Sequence, residues 1–267
     1  MPTVTANGIQ MHYQEAGSGE PLICIMGITA PGGVWEAHAE EWSKHFRCIM
    51  PDNRGVGLSD KPEGPYSSAM MADDYAALMD ELGIESARVV GCSMGSIIAQ
   101  QLMLRHPEKV KSAVLMCTWA RTDNYAKGIF QHMANCKARF TPGEFMHYIQ
   151  TLIFAKPFWD NKECYASLAE GQQGANLDQT PQPLHGLEAQ AAACTSHDTL
   201  AELPNIKVPC YVTGGIDDIF TPLWMANEVA NAIPNCDTYF YDNAGHGFHF
   251  ENMDAFNAKT TEWLLAN

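Results

Sequence analysis

The chain has no basic surplus, no long apolar run and no paired-cysteine motif, and each absence narrows what it can be. Lys and Arg number 16 against 31 Asp and Glu, a formal charge of −15. That field repels phosphate backbones and anionic bilayers, so nucleic acid and membranes are not expected partners. No window approaches the roughly 18 uninterrupted apolar residues of a membrane span. The start, MPTVTANGIQMHYQEAG, has neither the basic nor the apolar region of a secretory signal. The nine cysteines form no C-x-x-C pair and no zinc-like Cys/His cluster. Cys24, Cys48, Cys117 and Cys210 sit inside apolar runs, where a reduced thiol acts as a small hydrophobe. A reducing cytoplasm is therefore expected, with no metal and no cofactor.

Hydrophobic residues supply 46% of the 267 positions, enough for one sizeable core. Short apolar runs alternate with helical patterns. Strands are expected at Ile9–Glu15, Pro21–Met26, Phe46–Asp52, Ala87–Cys92 and Val110–Thr118. Helices are expected at Glu36–His45, around Met71, Tyr75, Leu78 and Leu82, and at Met94–His106. This βαβα rhythm predicts an α/β protein whose mostly parallel sheet is flanked by helices. From 119 to 203 the rhythm gives way to helical stretches rich in aromatic residues and Met. Strands then return at Val208–Thr213 and Thr238–Tyr241, with helices at Leu223–Ala232 and from Met253. The expected division is a core of 1–118 and 204–267 with a helical cap, or lid, of 119–203 inserted into it. Such a cap would cover the carboxyl ends of the strands, where open α/β sheets bind ligands.

The sharpest local signal is Gly91-Cys92-Ser93-Met94-Gly95, a G-x-S-x-G sequence between a strand and a helix. In that setting it reads as a nucleophile elbow: a tight turn that lifts the serine hydroxyl clear, beside free N–H groups at a helix start. A serine needs a base, and His246, between Gly245 and Gly247 after the last strand, is the candidate. His249, two residues on, is expected to point elsewhere. The base needs an acid to fix its tautomer. Asp218 and its neighbour Asp217 both follow the strand at Val208–Thr213, and the order serine, acid, histidine suits either.

Four blocks together resemble the α/β-hydrolase fold superfamily, in particular bacterial esterase- and lactonase-like serine hydrolases: Asp52–Asp60, Gly91–Gly95, Gly215–Pro222, and Gly245-His246 followed by Phe250-Glu251. The resemblance spans the chain apart from the insertion. Its G-x-x-D-x-x-x-P acid loop selects Asp218 over Asp217, and its reading of Asp52–Asp60 is structural, leaving Arg54 without a catalytic role. It implies an oxyanion hole from the backbone N–H groups of Ile28 and Met94. Two positions depart from the pattern: Met26 replaces a histidine that braces the oxyanion loop, and Ser96 replaces a glycine. Ser93 stands where epoxide- and halide-processing relatives have aspartate.

The expected activity is two-step hydrolysis of small or medium, partly hydrophobic carboxylic esters by Ser93, His246 and Asp218. Alternatives with the same residues are enol-lactone hydrolysis, carbon–carbon bond hydrolysis and cofactor-free perhydrolysis. A non-catalytic ligand-binding protein on the same scaffold is a further alternative. The expected partner is a small-molecule ester or lactone. Cys92 reads either as a buried spacer or as a thiol-sensitive neighbour of the nucleophile.

Overall fold

The computed structural model describes residues 2–267. Eight strands form one sheet in the order β1-β2-β4-β3-β5-β6-β7-β8. In chain order the elements up to the elbow are β1 (Thr3–Ala6), β2 (Ile9–Ala16), β3 (Glu20–Ile25), α1 (Glu36–Trp42), β4 (Phe46–Pro51), α2 (Ser68–Glu81) and β5 (Ala87–Cys92). Then come α3 (Met94–Arg105) and β6 (Val110–Met116). Five helices follow before the sheet resumes: α4 (Asn124–Lys137), α5 (Pro142–Ile153), α6 (Lys156–Asp160), α7 (Lys162–Leu177) and α8 (Leu184–Ser196). The chain ends with β7 (Cys210–Gly215), α9 (Leu223–Ala232), β8 (Cys236–Tyr241), α10 (Phe248–Glu251) and α11 (Met253–Ala266).

β1 and β2 pair antiparallel, as do β2 and β4, and every later pairing is parallel. The central strands are apolar on both faces because helices cover both. Along β3, Ile23 and Ile25 join the core beneath α2 and α3, while Leu22 and Cys24 join the core beneath α1 and α11. β5 divides the same way, with Ala87 and Val89 on one face and Val90 and Cys92 on the other.

The strand β1 is absent from the sequence expectation. Its four residues, TVTA, are largely exposed at the sheet edge, so no apolar run marks them. The expected helix at Glu36–His45 stops at Trp42 and is preceded by a 3-10 turn over Gly32–Trp35. The strands expected at Val208–Thr213 and Thr238–Tyr241 run Cys210–Gly215 and Cys236–Tyr241.

Strand order fixes where the site can lie. β3 sits between β4 and β5, so the chain leaves β3 toward one side and returns through β5 on the other. Ile25 and Gly91, near the carboxyl ends of β3 and β5, are register partners. This is the topological switch point, and the loops after the two strands diverge there to leave a crevice.

Candidate active site

Ser93 joins β5 to α3 with φ 55° and ψ −119°, a backbone conformation that L-residues rarely adopt. Holding it costs on the order of 1–3 kcal/mol, which the surrounding structure must supply. Ser93 N donates to Met116 O at 2.8 Å, and Ser96 returns both its amide (2.8 Å) and its hydroxyl (2.7 Å) to Ser93 O. Serine at the family's glycine position therefore ties the turn rather than crowding it. The flanking glycines have no such latitude. A Cβ on Gly91 would lie 2.4 Å from Gly95 O, and one on Gly95 would lie 2.1 Å from Ile25 O. The Ser93 hydroxyl is buried and makes no hydrogen bond among the described residues.

The loop after β3 runs directly over this turn, so close that a Cβ on Gly27 would lie 3.2 Å from Ser93 Cβ. Ile28 follows and lines the same cavity as Ser93. Met94 is the first residue of α3, where backbone amides have no acceptor inside the helix.

His246 lies in the loop after β8 and also lines that cavity. Its Nδ1 is 2.7 Å from Asp218 Oδ2. The carboxylate accepts, so Nδ1 carries the proton and Nε2 keeps a free lone pair. Asp218 is aligned in turn: its Oδ1 accepts from Phe220 N (2.7 Å) and Thr221 N (2.9 Å). The Thr221 hydroxyl is 2.9 Å from Asp218 Oδ2 and 3.1 Å from His246 Nδ1. Asp218 is buried, whereas Asp217 is exposed and meets Ala244 only through its backbone. Geometry thus joins Asp218, not Asp217, to the histidine.

Cys117 Sγ completes a group with Asp218 and His246 whose donor atoms lie within 4.8 Å of one another. Burial raises the Cys117 thiol well above its ordinary pKa, and that thiol donates to His246 O at 3.3 Å. It thus holds the histidine loop as a neutral donor.

His249 borders the cavity, but both its ring nitrogens face elsewhere than Ser93 and Asp218, as expected. Asn257 Oδ1 accepts from His38 Nδ1 at 2.7 Å, which leaves His38 Nε2 to accept from His249 Nδ1 at 2.9 Å. His249 Nε2 then faces Cys92 Sγ at 4.0 Å. Burial pulls His249 well below the usual imidazole range, and the neighbouring His38 and His246 add to the shift. Burial pushes the Cys92 thiol up to about 12. The pair is neutral, so Cys92 is a spacer hydrogen-bonded to an imidazole rather than a thiolate.

The cavity is about 360 Å³, within the usual range for small-molecule sites. Its outer wall comes from the helices between β6 and β7: Met133, Met146, Ile149, Ile153, Phe154, Phe158 and Leu168. Phe154 and Phe158 stack with ring centroids 4.2 Å apart. None of the lining side chains is a Lys, Arg, Asp or Glu.

Arg54 forms a buried bidentate pair with Asp74, at 2.5 Å for each bond, which agrees with a structural role. Several groups around the site went unnoticed in sequence: Thr221, Asn53, Gln190, and the latching role of Glu251. Thr221 lies inside the acid loop, Glu251 inside the histidine block and Asn53 inside the Asp52–Asp60 block, whereas Gln190 stands near no recognisable pattern.

A model of the alpha/beta hydrolase fold family matches residues 20–253. Mycobacterium tuberculosis H37Rv has a relative named "Putative non-heme bromoperoxidase BpoC", 34% identical over 261 residues, which cover 97% of this chain and 98% of the relative. Its crystal structure superposes with a TM-score of 0.87 at 31% identity, covering 96% of each chain. A thermophilic esterase from Thermogutta terrifontis superposes with a TM-score of 0.86 at 25% identity, covering 99% of this chain and 98% of that one. An enol-lactonase from Burkholderia xenovorans LB400 superposes with a TM-score of 0.88 at 25% identity over the full length of both.

Proposed function

Since this chain belongs to the α/β-hydrolase family and is a hydrolase, we propose that it cleaves neutral carboxylic esters of small or medium size through Ser93, His246 and Asp218. The observation that carries this reading is the pairing of a backbone-strained, unpartnered Ser93 hydroxyl with an Asp218-aligned His246 on one apolar cavity.

In the reaction, Ser93 Oγ attacks the ester carbonyl as His246 Nε2 takes its proton. The Ile28 and Met94 amides, with the positive end of α3 behind Met94, stabilise the tetrahedral oxyanion. Collapse expels the alcohol, which receives the proton from His246 and leaves an acyl-Ser93 ester. Water, deprotonated by His246, attacks that ester, and the carboxylic acid departs as Ser93 recovers its proton. Asp218 keeps its own charge throughout and stabilises the imidazolium. The steps need neither metal nor organic cofactor.

Substrate preference follows from the wall. Burying a carboxylate among Met, Ile and Phe side chains without a cationic partner is expensive, so neutral acyl groups are favoured over anionic ones. A lactone is an internal ester and fits the same steps. Residues 119–203 would act as the lid that dries and shapes the cavity, and the nine free cysteines suit a reducing cytoplasm.

The test is reaction with a fluorophosphonate probe, followed by p-nitrophenyl acetate, butyrate and hexanoate assays beside an ester whose acyl group ends in a carboxylate. Labelling is expected on Ser93, with loss in Ser93→Ala and strong reduction in His246→Ala. Turnover is expected for the neutral esters, with the carboxylate-bearing one at least tenfold slower. A folded protein that neither labels nor turns over any ester would sink the proposal.

A further inference from the structure

The departure at Met26 removes the side chain that braces the oxyanion loop in relatives with histidine there, so something else must fix the Ile28 amide. A backbone N–H stabilises an oxyanion only if its peptide plane is already oriented. Three consecutive peptide planes matter: Met26–Gly27, Gly27–Ile28 and Ile28–Thr29. The middle one carries the Ile28 N–H.

Both outer planes are pinned by buried amide side chains. Asn53 Nδ2 donates to Met26 O at 2.8 Å, and Tyr75 OH holds Asn53 Oδ1 at 2.9 Å. On the other side Gln190 Oε1 accepts from Thr29 N at 3.0 Å. Thr29 has φ 69°, a left-handed conformation that a non-glycine residue adopts only under constraint. Gln190 is fully buried on α8 and is itself fixed: its Nε2 donates to Arg54 O at 2.8 Å, and its Oε1 also accepts from Gln182 Nε2 at 2.9 Å.

We propose that Gln190 is a positioning residue for the oxyanion hole, holding the Ile28–Thr29 peptide so that the Ile28 N–H faces the tetrahedral oxygen. This assignment rests on the serine-hydrolase reading above. It makes α8, from the inserted helices, part of the machinery that stabilises the transition state, although Gln190 touches no substrate.

Reach separates this role from simple packing. Gln190→Glu keeps an acceptor at the same length, whereas Gln190→Asn is one methylene too short yet remains polar and compatible with folding. Gln190→Met keeps length and removes hydrogen bonding. Kinetics would be normalised to sites titrated by fluorophosphonate, and affinity measured for a butylboronic acid, which mimics the tetrahedral state, and for the product alcohol. Displacing one oxyanion donor should lower kcat about 10- to 100-fold in Gln190→Asn and Gln190→Met, less than outright removal. KM should stay within about threefold, boronate affinity should fall in step with kcat, and alcohol affinity should hold. Gln190→Glu should keep most of kcat. Unchanged kcat and boronate affinity per titrated site in Gln190→Asn would overturn the assignment, as would equal losses in Gln190→Glu and Gln190→Asn. Wild-type protein that fails to label would defeat the parent reading instead.

Discussion

Gly247 N donates to Ile153 O at 2.6 Å, which ties the loop carrying His246 to the end of α5, one of the helices between β6 and β7. The tie is close on both flanks of the histidine: a Cβ on Gly245 would lie 2.7 Å from Ile153 O, and one on Gly247 would lie 2.8 Å from Phe154 Cε1. Glu251 closes the arrangement, with Oε1 accepting from Ala155 N and Oε2 from Gly245 N, each at 2.7 Å. One carboxylate thus latches the Ile153–Ala155 segment to the histidine loop.

Glu251→Gln tests that latch. The amide nitrogen of Gln would face one of the two backbone donors and leave it without an acceptor. An unmade bond to a partly buried group of this kind costs roughly 1–3 kcal/mol, which at about 2–4 °C per kcal/mol for a chain of this size is roughly 2–12 °C in melting temperature. Because one of those donors belongs to Gly245, kcat should also fall about tenfold as His246 loses alignment. Calorimetry and p-nitrophenyl butyrate kinetics check both; a normal kcat with a lowered melting temperature would confine Glu251 to stability.

The Phe154–Phe158 stack bounds the cavity on its outer side. Phe158→Ala should open room for longer acyl chains. Each additional buried methylene is worth about 0.8 kcal/mol, so kcat/KM for the octanoate relative to the butyrate should rise at least tenfold. A p-nitrophenyl ester series reads this directly, and an unchanged chain-length optimum would place the acyl group elsewhere.

What could be read beforehand tracks how local each signal is. β3, β5, β6 and β7 are nearly continuous apolar runs because helices cover both faces, and the elbow compresses its requirements into Gly91–Gly95. Asp218 was separable from Asp217 only through the resemblance to the family's acid loop, and the structure buries the one and exposes the other. Gln190 left no such trace, since it stands 161 positions from Thr29 and answers a backbone amide that any residue could present. Glu251 meets Ala155 across 96 positions in the same way. The edge strand β1 is too short and too exposed for periodicity to mark it. The partner toward which His249 turns, His38, comes from α1, 211 positions away, and had no local signal.

Buried imidazoles should set how the fold responds to acid. Burial lowers His197 to about 3 from its ordinary value near 6.5, and it lowers His38 and His249 as well. A depressed imidazole is neutral in the folded chain but binds a proton in the unfolded one once pH drops below about 6.5. Its contribution to stability is therefore complete above that value and is lost as pH falls toward the folded pKa, at up to about 1.4 kcal/mol per pH unit for each group. Glu251 and Asp74 act in the opposite sense: burial raises both, so the folded state takes up their protons first and acid favours it through them. Below their range that relief is spent, while His197 continues to oppose folding down to about 3. Urea unfolding at intervals from pH 8 to 4 should show a plateau above 7 and a decline beginning near 6.5. His197→Gln, which can still meet Ser68 Oγ or Gln100 Oε1, should flatten that decline by about one proton's worth; an unchanged slope would mean that the imidazole is charged in the folded protein.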